Sequence, residues 1–178
     1  MPALTGPALV AAALLAMAGA QKLVDPTMTI GALRALGLPS SARLVRAGSA
    51  AELALGLAAI VAGGTALWWG VALSYVLFAA FVTAALRRGT MIGSCGCFGR
   101  EETPPHWSHV ALNMALAALA AATAVRTPAA PIDALGDHPG TAVPVVLLAG
   151  LALYLLHAAF VELPRTLAAG RTGGAVTR

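Results

Sequence analysis

The sequence predicts an all-α integral membrane bundle of five transmembrane helices: a four-helix core plus one, with a short interfacial helix after the first span. Three observations carry this expectation. Of the 178 residues, 59% are hydrophobic and only 10% are charged, against about 45–50% and about 25% in soluble domains. With 11 Lys and Arg and 7 Asp and Glu, the chain has too little charge to cover the surface of a water-soluble fold. The apolar residues also fall into separated runs, each near the roughly 20 residues that a helix needs to cross a bilayer core.

The first span lies at about 4–22, where positions 1–21 carry no charge. Ala18-Gly19-Ala20 resembles a signal-peptidase site, but no Lys or Arg precedes the apolar run, so the segment is expected to remain as a span. Positions 53–86 are free of charge. One helix of that length would measure about 51 Å, too long for one crossing. Gly63-Gly64-Thr65 is the natural turn inside it, which divides the region into spans at about 47–63 and 66–86. The fourth span is expected at about 107–125, after Pro104-Pro105 and with Ser108 able to cap it, and the fifth at about 141–161. Positions 1–162 then form a single transmembrane domain, and 163–178 a polar, basic tail. Between the first two spans, Asp25–Arg46 holds Ile30, Leu33, Leu36 and Leu38 among arginines. This suggests a short helix in the membrane interface, broken at Pro39.

Charge sets the expected orientation. Ten of the 11 Lys and Arg follow the first, third or fifth span; only Arg126 lies on the other side. The positive-inside rule then places the N-terminus outside and the C-terminus in the cytoplasm of a bacterial-type plasma membrane. Nucleic acid is not expected as a partner, because the net charge of +4 is scattered and forms no basic stripe. Lipid is the expected surround.

The chain has two cysteines, and both lie in Met91-Ile-Gly-Ser-Cys95-Gly-Cys97-Phe-Gly99. Thiols this close can close a strained disulfide ring, with Gly96 supplying backbone freedom, and strained accessible disulfides suit exchange. Arg87, Arg88 and Arg100 flank the pair, and positive charge favours the nucleophilic thiolate. A second reading is a soft-metal site for copper or zinc, with His106 and His109 joining the two cysteines. A third takes the cysteines as small packing residues in a structural assembly factor. The residues leave all three open. No quinone or haem motif is recognisable, and the only cofactor-like group suggested is a redox-active Cys95–Cys97 disulfide.

Other polar residues stand within the apolar runs. Glu52 in the second span needs a partner at membrane depth, and Lys22 at the end of the first is the candidate. Asn113 is expected to bond across helices, His157 to be a satisfied packing residue, and Trp68, Trp69 and Trp107 to anchor at the interface.

Taken together, Cys95-Gly-Cys97-Phe-Gly99 between two spans, Asn113 in the following helix, Lys22-Leu-Val-Asp-Pro26 and Glu52-Leu-Ala-Leu-Gly56 resemble the methylamine-utilisation MauE family, related to DoxX-like membrane proteins. The resemblance covers roughly 8–125. Leu112 departs from it, since Arg is frequent there. It implies a bundle of four or five spans that helps mature an exported, disulfide-rich client, methylamine dehydrogenase being the namesake. It further implies a thioredoxin-like partner, Cys95 and Cys97 as the redox pair, and Lys22, Glu52 and Asn113 as supporting polar positions. Arg100 is the charge nearest Cys97. Such client chemistry occurs outside the cell, whereas the charge rule places the cysteine loop inside. Two-sided access to the loop, electron flow across the membrane, or a failure of the charge rule would each reconcile them.

Overall fold

A computed structural model describes residues 3–88, 105–126 and 129–173, with side chains described as far as 160. Among the described residues there are seven helices and no strand: α1 (Thr5–Val24), α2 (Thr27–Ala35), α3 (Ala42–Val61), α4 (Thr65–Arg88), α5 (Trp107–Arg126), α6 (Pro131–Gly136) and α7 (Pro139–Gly173). Five of them, α1, α3, α4, α5 and the 139–160 part of α7, are long and apolar enough to cross a membrane. The chain is therefore a multi-pass membrane bundle.

The turn between α3 and α4 falls at the expected glycines. Gly63 has φ 61° and Gly64 φ 98°, conformations that cost a glycine little and a larger residue much. The expected short helix between the first two spans is α2. It ends at Gly37, whose φ of 70° breaks the helix before Pro39. Its Ala32 and Leu36 pack on Phe81 and Ala85 of α4.

Two expected boundaries move. The helix of the second span begins at Ala42, where the Ser41 hydroxyl accepts from the Leu44 amide at 3.2 Å. Arg43 and Arg46, read as loop charges, are exposed in its first turns, where long basic side chains can reach the headgroups. The last helix runs through Gly173, past the expected start of the tail at 163. The α6 turn has Pro131 at its start and has no counterpart in the sequence-based expectation.

The strongest pairings are α1 with α3 and α4 with α5, with α7 against α1. Chain neighbours α3 and α4 pack less closely than either pair. The core is built from small residues of α1 (Ala8, Ala11, Ala12) with Trp68 and Val71 of α4 and Ala120 of α5. Trp68 is fully buried, so it is a core residue and not an interface anchor; Trp69 and Trp107 are half exposed.

Candidate functional site

The end of α1, the start of α3, the end of α4 and the start of α5 all lie at one end of the bundle, because these helices alternate in direction. Lys22, Ser49, Glu52, His109 and Asn113 gather at this end, whereas the buried Thr5 and Thr123 lie at the other.

Lys22, in the last turn of α1, is 4% exposed and forms an ion pair with Glu52 of α3. At membrane depth, pairing removes most of the penalty that a lone charge would carry. The Lys22 ammonium also lies 4.6 Å from the centre of the Phe78 ring, where the negative face of the ring attracts a cation. Phe78 in turn meets Tyr75 edge to face, and the Tyr75 hydroxyl donates to the Ala11 carbonyl at 2.6 Å. One charged pair thus ties together α1, α3 and α4.

An apolar cavity of about 440 Å³ opens beside this pair, between α2, α3 and α4. Leu33 and Leu38 wall it on one side, and Phe78 and Phe81 on another. Lys22 and Glu52 supply its charge.

His109 and Asn113 occupy the first turns of α5 and are buried. The backbone N–H of His106 donates to His109 Nδ1 at 3.2 Å. Because Nδ1 accepts, Nε2 carries the proton, and it donates to the Phe160 carbonyl of α7 at 2.9 Å. The two rings stack with centroids 5.7 Å apart. Both imidazole nitrogens of His109 are thereby engaged within the fold. His106 Nδ1 accepts from the Ser108 amide at 3.1 Å. The start of α5 is therefore capped by the imidazole of His106, and not by Ser108 as the sequence suggested. Asn113 Nδ2 donates to the His109 carbonyl one turn back in its own helix, at 2.7 Å, in place of the cross-helix bond expected.

Replacing His109 with leucine is expected to leave the His106 amide and the Phe160 carbonyl unpaired, costing about 1–3 kcal/mol. The check is thermal unfolding in detergent together with protease cleavage of α7; unchanged melting and protection would mean that the clasp is not holding α7.

Cys95, Cys97 and Arg100 lie outside the described residues. What the structure places is the segment's two anchors. Arg88, the last residue of α4, donates to the Leu36 carbonyl at the end of α2, at 2.6 Å. It is thus committed to α2, although the sequence offered it as a charge beside the thiols. The second anchor is the His106-capped start of α5. The His106–His109–Phe160 clasp is a feature that sequence reasoning missed, because nothing local marked Phe160 as the acceptor.

The family model for methylamine utilisation protein MauE matches residues 2–126. This takes in α1 to α5 and leaves out α6 and α7. No curated protein and no solved structure matches the chain. With the match covering five of the seven helices and the whole polar end of the bundle that α1 to α5 build, this chain belongs to the MauE family of methylamine utilisation proteins.

Proposed function

We propose that this protein is a membrane thiol–disulfide exchange component that acts through Cys95 and Cys97 and supports the disulfide status of an exported client. The observation that carries the reading is the cysteine complement itself. Both thiols of the chain are spent one residue apart, around a glycine, in the segment that joins α4 to α5. Two buried packing residues would not need that spacing, whereas an exchanging pair does.

The step balances without further reactants. A thiolate of a thioredoxin-like partner attacks the Cys95–Cys97 disulfide. One cysteine leaves as thiolate, and a mixed disulfide forms. The partner's second thiol attacks that bond and releases the oxidised partner, leaving Cys95 and Cys97 reduced by two electrons. The partner then oxidises the client. Lys22, Glu52 and Asn113 support the fold around the segment's anchors. We place the N-terminus outside and the C-terminus in the cytoplasm on the distribution of Lys and Arg. This puts the cysteine segment at the cytoplasmic end, so that service to an exported client requires the segment to be reached from both sides or electrons to cross the membrane.

Cys95→Ser and Cys97→Ser are each expected to abolish client maturation while the protein still inserts. The measurement is client disulfide content in cells carrying each variant, alongside labelling of the wild type with an impermeant maleimide before and after reduction. Full activity of the double variant would end the redox reading, and labelling only after an impermeant reductant would put the pair within reach of the exterior.

A further inference from the structure

We propose that the cavity between α2, α3 and α4 seats the headgroup of a membrane quinone. At about 440 Å³, it lies within the range of small-molecule sites, about 300–1,000 Å³. Its rim residues Leu38, Leu44 and Leu77 are exposed, so an apolar tail can run out into the bilayer.

The chemistry of the inner end selects the head. Lys22 and Glu52 are paired there and together carry no net charge. A phosphate headgroup would bring a negative charge to a cation already neutralised, beside a carboxylate that repels it. A neutral head meets no such cost. The ammonium can donate to a ring carbonyl and the carboxylate can accept from a ring hydroxyl. Phe78 and Phe81 line the cavity, and aromatic side chains pack well against a flat ring. A neutral, flat, hydrogen-bonding head on an apolar tail is the description of a quinone.

The redox part of this inference rests on the thiol–disulfide reading. Oxidation of the Cys95 and Cys97 dithiol to the disulfide releases two electrons and two protons. Quinone takes both and becomes quinol, so the exchange pair is returned to its oxidising form. The cavity is at the end of the bundle where α4 stops and α5 begins, the two anchors of the cysteine segment.

Gly48 provides the test. It lines the cavity, and a Cβ built on it meets nothing within 4 Å, so Gly48→Leu adds bulk at the cavity wall with no clash at its Cβ. Full-length protein in phosphatidylglycerol nanodiscs would be titrated with decyl-benzoquinone, with empty discs as the partition control. The wild type is expected to bind one quinone saturably. Gly48→Leu should bind at least about tenfold more weakly at unchanged melting temperature. The Cys95→Ser/Cys97→Ser variant should bind as the wild type does. Isotherms that match empty discs, equal binding by Gly48→Leu, or one-for-one displacement of quinone by phospholipid would each overturn the proposal; displacement would make the cavity a lipid seat. The two readings fail separately. Quinone binding by a protein whose cysteines are dispensable ends the exchange reading alone, and essential cysteines without quinone binding end this one alone.

Discussion

Gly56→Leu is expected to break the α1–α3 seam and to lower stability by at least about 2 kcal/mol. A Cβ at Gly56 would stand 2.6 Å from the Ala12 carbonyl oxygen and 2.8 Å from the Ala16 amide nitrogen. On the facing helix, a Cβ at Gly19 would stand 2.6 Å from both the Leu53 amide and the Ser49 carbonyl. These obstacles are backbone atoms, which cannot rotate aside. The helices would have to separate, and in a bilayer separation is serious. Lipid tails are as apolar as leucine, so helices there associate through close van der Waals contact and not through exclusion from water. The α1–α3 contact is one of the two strongest in the bundle, and α1 carries much of the core. Melting in detergent, followed by size-exclusion, measures the effect. Gly48→Leu on the same helix is the control, because its Cβ has open space. If Gly56→Leu melts with the wild type, the seam is not formed by these glycines.

Lys22→Met is expected to cost at most about 3–5 kcal/mol, because it leaves Glu52, only 19% exposed, at membrane depth without its counter-charge. Glu52→Gln should cost a similar amount from the other side, since Lys22 is 4% exposed and cannot easily recruit lipid or water. The double variant Lys22→Met/Glu52→Leu should recover much of the loss. Replacing both members of a buried pair removes the desolvation penalty along with the attraction, whereas removing one leaves the penalty uncompensated. A double-variant cycle measured by melting reads the coupling directly. Additive losses would show that the two charges do not depend on each other. The same double variant separates stability from chemistry: it should fold, yet bind quinone more weakly, because the polar end of the cavity has gone.

The ion pair at the polar end of the bundle was legible in the sequence, and the other polar positions less so, for reasons that can be stated residue by residue. A glutamate inside an apolar run must find a cation, and Lys22 was the nearest at the right depth; the ion pair forms. His109 was read less well. It was offered only as a possible metal ligand beside His106, and its Nε2 bonds to a carbonyl 51 positions along the chain. Asn113 was expected to reach across to another helix, and a carbonyl four residues back in its own helix proved closer. Trp68 follows the usual interfacial pattern in sequence, at a helix start beside Trp69. Only the approach of α1 and α5 turns one ring inward and leaves the other to the membrane.

The number and order of the spans were set by the sequence alone; two of their limits were not. Hydropathy measures transfer into lipid, and the Gly63-Gly64 turn is a matter of local backbone sterics. Which helices pair, and which face of each turns inward, was decided only by the tertiary structure. In a soluble helix the buried face is the apolar one. In a bilayer, lipid and protein interior are equally apolar, so hydrophobic periodicity does not mark the inner face. The inner face is marked instead by the closest fit of small residues, Gly19 against α3 and Gly56 against α1. That fit is a property of two helices together and is written in neither one.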